Sequence, residues 1–359
     1  MQISEDNITL IRPDDWHLHL RDGEALAHVV ADTAKQIKRA VIMPNLVPPV
    51  TTTAQAQAYH QRIMQALADS PGAQADPSLL GFEPLMTLYL TDNTAAEEIV
   101  RAKASGLVYA VKLYPAGATT NSDAGVTDLL GNCSAVLEQM QQLGMPLLVH
   151  GEVTDPTIDV FDREAVFIDR VMLPLRQRFP ELKVVFEHIT TKEGAHYVRD
   201  AEGPVAATIT PQHLLYNRNA IFTNGLQPHY YCLPVLKREV HRQALVEAAT
   251  SGSGRFFMGT DSAPHARSLK EQSGGCAGCY SALHALELYA QAFDMAGKLE
   301  QLEGFTSLYG ADFYGLARNT ETISLKRQAF EVPTHLPYVN GDTLVPLAAG
   351  TTLNWTFEA

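Results

Sequence analysis

Trp16-His17-Leu18-His19-Leu20-Arg21 alternates apolar and polar side chains. In an extended strand, residues i and i+2 leave the same face. His17 and His19 therefore project together, to the inner side if this strand belongs to a closed barrel. Two imidazoles at one level could be a pair of hydrogen-bonded core histidines or two ligands of one metal ion. What the rest of the chain places beside them decides between these.

Outward from this segment, short apolar runs recur at 8–12, 39–44, 84–90, 108–114, 145–150, 183–189, 205–210 and 255–259, the first running on into residues 16–21. Between most of them lie longer stretches with helical spacing, at 53–68, 94–104, 128–143, 161–178, 192–199 and 236–251. Thr51-Thr52-Thr53 suits a helix start, and Gly106 and Gly144 suit helix ends. Strands alternating with helices imply a parallel sheet, and eight such units predict an α/β TIM (β/α)8 barrel. Helices are expected near 280–297 and 299–316, then short strands and turns from about 318. The expectation is one domain over 1–359, with a core of about 8–316 and a C-terminal tail of about 317–359 packed on it.

Composition limits the function classes. A net charge of −13 argues against nucleic acid or an anionic membrane as partner. An anionic small-molecule substrate would then need local cations. Four cysteines in 359 residues do not make a disulfide framework. The start MQISEDNITLIRPDD lacks the basic and apolar regions of a signal peptide, and no run approaches a membrane span. The expectation is a reduced, cytoplasmic protein.

Catalytic groups of a TIM barrel stand where strands end on the C-terminal face. Beyond His17 and His19, those positions hold Asn45 after Met43-Pro44, Lys112 in Tyr109–Pro115, His150 after Leu147-Leu148-Val149, His188 in Val185–Thr190, and Asp261 and His265 in Met258–His265. His150 or His188 alone reads as a structural histidine. Four histidines converging at strand ends read as a metal site, and imidazole suits zinc with one position left open for water. Lys112, between Val111 and Leu113, would be costly to bury as a bare ammonium. It either pairs with a carboxylate, snorkels outward, or has a lowered pKa and can be modified by carbon dioxide to a carbamate. Asp261 could be a ligand, a general base or a helix cap. Arg21, Asn45 and His265 form a donor group beyond the metal positions, and Arg suits a carboxylate; Asn45 could equally serve the turn after Pro44. Cys276-Ala277-Gly278-Cys279 lacks the second pair that a zinc knuckle needs and reads as a loop with two free thiols. Gly117–Ser122 is small and polar, an ordinary loop or a mobile lid.

The full set resembles the amidohydrolase superfamily: His-x-His on strand one, Lys on strand four, His on strands five and six, and Asp on strand eight. RPDDWHLHLRDG, MPNLVPPVTT, KLYPAGATTNS, LLVHGEV, FEHITT, TPQHL, YCLPVLKR and GTDSAPH are similar to motifs of its shorter, bacterial-type dihydroorotases. These motifs run from residue 12 to 265, extended to 279 by the CAGC loop; the last 40 residues are not matched. The resemblance implies reversible conversion of L-dihydroorotate to N-carbamoyl-L-aspartate in de novo pyrimidine (UMP) biosynthesis. It implies two zinc ions per subunit, bridged by Lys112 as N6-carboxylysine and by a hydroxide. His17, His19, Lys112 and Asp261 would hold one zinc; Lys112, His150 and His188 would hold the other. Asp261 would carry the proton. His19, Arg21, Asn45, His150, Leu233, His265 and Ala277 would contact substrate, with Thr119 and Thr120 on a lid. A homodimer is implied on the same ground. A hydantoinase or allantoinase is the neighbouring reading, and Arg21, Asn45 and His265 favour a substrate with a free carboxylate. A non-catalytic barrel is the third reading, opposed by the complete ligand set.

Overall fold

The computed structural model describes residues 1–358. Eight parallel strands pair in chain order: Asp14–Leu18, Arg39–Ile42, Glu83–Tyr89, Val108–Leu113, Leu147–Val149, Val184–Phe186, Val205–Ile209 and Phe256–Met258. The sheet closes on itself where Leu18 bridges Ser262, with Asp261 N–H donating to His17 O at 2.8 Å and His19 N–H to Ser262 O at 3.1 Å. This is the expected barrel, with helices outside and loops joining strand ends to helices.

The first strand corrects the sequence reading. Residues Asn7–Ile11 are not barrel but join an antiparallel sheet with Gln2–Ile3, Thr322–Glu331 and Thr352–Glu358. Barrel strand one starts only at Asp14, after a break at Arg12-Pro13. Its register shifts between Asp15 and Leu18. Trp16 packs on Phe257 and Tyr314 below while His17 meets Glu187 and Asp261 above. Simple alternation would not have turned both consecutive side chains inward.

The tail is also more regular than expected. Thr322–Glu331 is ten residues long, the longest strand of the chain. Of those residues only Leu325 is buried, so no alternating apolar pattern marks it.

Helix punctuation follows the chemistry. Thr52 caps Thr53–Asp69 in a reciprocal capping box with Gln55. Gly144 ends Ser134–Leu143 in the left-handed conformation. The helix Glu24–Gln36 was not anticipated; it starts at Gly23 without any side-chain cap. The 161–178 stretch is helical as Arg163–Phe167 and Leu173–Arg178 about one wide turn, Ile168–Met172. Beyond strand eight, Ala285–Met295 matches expectation, and 299–316 breaks into short helical pieces ending in Tyr309–Tyr314.

That last helix plugs the lower end of the barrel. Trp16, Val41, Leu85, Leu148, Val185 and Phe257 form an interior layer against Ala311, and Trp16 stacks on Tyr314 with centroids 4.5 Å apart. The approach is so close that a Cβ on Gly310 would fall 2.0 Å from Trp16 Nε1. Gly310→Ala should therefore lower stability by about 1–3 kcal/mol through overpacking, read as a reduced melting midpoint. An unchanged midpoint would refute a tight seat for this plug.

Candidate metal centre and substrate pocket

Barrel closure sets the first cluster. Asp261 Oδ1 lies 3.0 Å from His19 Nε2 and 3.4 Å from His17 Nε2. One ligand atom from each of the three lies within 4.8 Å of the others, an arrangement able to hold a metal ion. His188 packs between His17 and His150, with ring centroids 4.9 and 4.8 Å away. Its Nδ1 is buried and has no partner. Lys112 is fully buried, and its Nζ likewise lacks a hydrogen-bond acceptor. Strand ends thus bring together all six residues named from the sequence as possible ligands.

Two carboxylates that the sequence reading passed over orient this group. Glu187 Oε2 is 2.8 Å from His17 Nδ1 and accepts a hydrogen bond from Thr208 Oγ1. Glu152 Oε2 is 2.8 Å from His150 Nε2. The carboxylate fixes one ring nitrogen as the donor and leaves the other as a lone-pair site, as outer partners of metal-binding histidines do. Glu152 was within reach of the alternation rule, being two residues after His150. Glu187 was not: His188 has φ of 40°, so the chain leaves regular strand geometry there and both side chains reach the interior.

Burial sets the charge states. Desolvation, aided by the neighbouring Lys112 charge, pushes His17 and His188 well below the ordinary histidine value. Both are neutral at pH 7, the form that donates a lone pair. Burial lowers Lys112 to about 8, against the pull of Glu187 and Asp261, so an appreciable part of it is free amine at neutral pH. Burial alone would raise Asp261, but the His19 hydrogen bond and nearby cationic charge hold it down to about 2. Neutral imidazoles, an ionised carboxylate, an orphaned Nδ1 and an orphaned lysine amine fit a site for divalent metal.

Above these groups lies a small pocket, with a cavity volume of only about 20 Å³. Arg21, Asn45, Thr119, Thr120, Leu233 and Ala277 all line it, as do Tyr114, Ala263 and Gly278, which the sequence reading did not single out. His265 stands just behind, its Nε2 2.7 Å from Arg21 Nη2 and 3.0 Å from Ala277 O. Asn45 donates to Thr120 O at 3.1 Å, and Asn121 returns a bond to Asn45 O at 3.0 Å. The 117–122 loop is thereby pinned over the cavity. A larger hollow of about 910 Å³ lies by the 163–178 and 192–200 helices, away from the strand ends, and among the described residues it contains no cluster of metal-type donors. All four cysteines are free.

Residues 8–337 match the Amidohydrolase family. The chain belongs to that family. A dihydroorotase of Cupriavidus pinatubonensis is 70% identical, the alignment covering 97% of this chain and 98% of the relative. Among solved structures, dihydroorotase from Campylobacter jejuni superimposes with a TM-score of 0.88 at 34% identity, covering 100% of this chain and 99% of that one. The dihydroorotase of Saccharomyces cerevisiae, solved with 5-fluoroorotic acid, gives 0.87 at 30% identity, over 98% of each chain. This amidohydrolase is thus a hydrolase of the dihydroorotase branch, and its family's dependence on metal agrees with the His17, His19, Asp261 cluster.

If Glu152 holds the His150 ring for metal, Glu152→Ala should reduce metal affinity or activity about 10–100-fold with the fold retained. Metal analysis and circular dichroism on the same preparation check this. Wild-type metal retention and wild-type rate would refute it.

Proposed function

We propose that this amidohydrolase is a dihydroorotase, interconverting L-dihydroorotate and N-carbamoyl-L-aspartate in de novo pyrimidine biosynthesis. One observation carries the reading: a buried metal-type donor set lies directly beneath a small pocket holding an arginine. His17, His19 and Asp261 would hold one zinc ion, His150 and His188 a second, with carboxylated Lys112 shared between them; zinc supplies Lewis acidity and brings the pKa of bound water to ~7.

The remaining steps belong to the chain's own residues. The neutral Lys112 amine adds to carbon dioxide, forming an N–C bond and releasing one proton. The product replaces a buried, unpartnered amine by an anion whose oxygens would serve as metal ligands. Arg21 gives the substrate carboxylate paired N–H donors, with Asn45 and His265 beside it. Backbone groups of Leu233 and Ala277 face the ring amides. Asp261, ionised and central, takes a proton from the attacking water and delivers it to the leaving ring nitrogen. Ring closure runs the same transfers in reverse. The loop bearing Thr119 and Thr120 shuts water out and opens for exchange. We further propose a homodimer, on resemblance to the family alone, and a reducing, cytoplasmic setting, supported by the four free cysteines.

Competing assays with dihydroorotate, hydantoin and allantoin test the substrate. Dihydroorotate should be strongly preferred, and no turnover by metal-replete protein would overturn the proposal. Lys112→Ala should lose activity together with at least one metal per chain, whereas full activity would reject the shared-ligand role. Asp261→Ala should keep the fold but lower kcat by about 10²–10⁴-fold, the usual contribution of a proton carrier. A near-normal rate would remove Asp261 from that role.

A further inference from the structure

Lys270 is a buried ammonium with no carboxylate in contact. The residue is 4% exposed and enters no ion pair among the described residues. Instead, Nζ donates to Tyr231 O at 3.0 Å, to Cys276 O at 3.0 Å and to Gly278 O. Those are all three of its N–H donors. Burying a cation against carbonyl dipoles alone is expensive, so its neighbours have been arranged around it.

The three carbonyls come from two loops that meet here, Gly278 N–H donating to Tyr231 O at 3.0 Å. One loop carries Leu233, two residues past Tyr231; the other carries Ala277, between Cys276 and Gly278. Peptide units are planar and trans, so each carbonyl points opposite to the N–H of its own unit. Turning Cys276 O onto Lys270 turns Ala277 N–H away from it. That N–H donates to no other protein group among the described residues, and Ala277 lines the cavity. The clamp leaves no slack. Gly278 has φ of 146°, and a Cβ there would fall 2.8 Å from both Ala263 Cβ and Ala263 O. On the far side, His265 Nε2 packs 3.0 Å from Ala277 O.

We propose that Lys270 is the positioning residue for ring recognition: by gripping both flanks of Ala277 and the Tyr231 end of the Leu233 loop, it fixes where the backbone donors and acceptors for the substrate's cyclic amides stand. This rests on the reading of the pocket as a dihydroorotate site. The carboxylate is held chiefly from different elements, by Arg21 and Asn45, and His265 is the one carboxylate-side group that touches the clamp, at Ala277 O. Lys270 therefore governs the ring half of the ligand far more than the carboxylate half.

The experiment compares two probes on the metal-replete enzyme: 5-fluoroorotic acid, which carries ring amides and a carboxylate, and malonate, which carries carboxylates only. In Lys270→Met, affinity for 5-fluoroorotic acid should fall at least tenfold and KM for dihydroorotate should rise in parallel. Malonate affinity and metal content should stay within twofold. Lys270→Arg, which keeps the charge and donors, should recover part of the loss. Equal weakening of both probes would overturn the proposal, as would unchanged binding of both. If Lys270→Met does not fold, Lys270→Arg is judged by the same ratio of the two affinities, and a ratio equal to wild type overturns it. Failure of the wild-type protein itself to bind 5-fluoroorotic acid would instead refute the substrate reading.

Discussion

The site depends on one buried carboxylate at the seam of the barrel. Asp15 Oδ1 accepts from His17 N–H at 3.1 Å and Thr260 N–H at 2.9 Å, while Oδ2 accepts from Thr260 Oγ1 at 2.6 Å. It is buried with no cation beside it, and desolvation, partly offset by those donors, pushes its pKa up to about 7. Its role is geometric. Strand one must meet strand eight in a register that puts His17 and His19 level with Asp261. Ladder bonds alone join only the tops of these strands, through His17 O and Ser262 O. Asp15 ties the strands one step lower and satisfies two backbone donors, one on strand one and one just past strand eight.

From that seam the electrostatics follow. A closed barrel end excludes water, so every titratable group in it is forced toward its neutral form unless a neighbour compensates. His17 and His188 become lone-pair donors, Lys112 gains an appreciable fraction of nucleophilic amine, and Asp261, ringed by nitrogen groups, remains firmly anionic. A chain with a net charge of −13 repels an anionic substrate at long range. Screening shortens that repulsion to about 8 Å at physiological salt, so Arg21 at the pocket wall can dominate where recognition occurs.

The fold was legible because eight apolar runs and their intervening helical periods are dense, local signals. The ligand residues were legible for a related reason: polar side chains directly after apolar runs stand out. What escaped reading depends on tertiary partners. Asn7–Ile11 looks like a barrel strand in isolation and is recruited instead by Thr322–Glu331, over three hundred residues later in the chain. That partner strand was hidden because only one of its ten residues is fully buried. Glu187 and Lys270 carry no sequence signature, since their importance lies in which distant carbonyl or imidazole they meet.

Three of the groups at the barrel mouth share an uncommon backbone state. Arg21, His188 and Asp261 have φ of 61°, 40° and 46°. Non-glycine residues held in such regions cost of order 1–3 kcal/mol each and persist only where surrounding structure over-determines them. Glycine would relax the backbone at each position but would remove the guanidinium, the imidazole or the carboxylate. A strand entering its loop must turn sharply, while the site requires a long side chain aimed back over the barrel axis. Left-handed geometry meets both demands at once. The strain is opposed by the bonds already described: His188 N–H to Thr208 Oγ1 at 2.7 Å, Asp261 N–H to His17 O, and Arg21 Nε to Pro264 O at 3.0 Å. Each restraint comes from a neighbouring strand or from the loop after strand eight. Closing the barrel therefore does more than gather the donors; it holds them in conformations that the isolated segments would not keep.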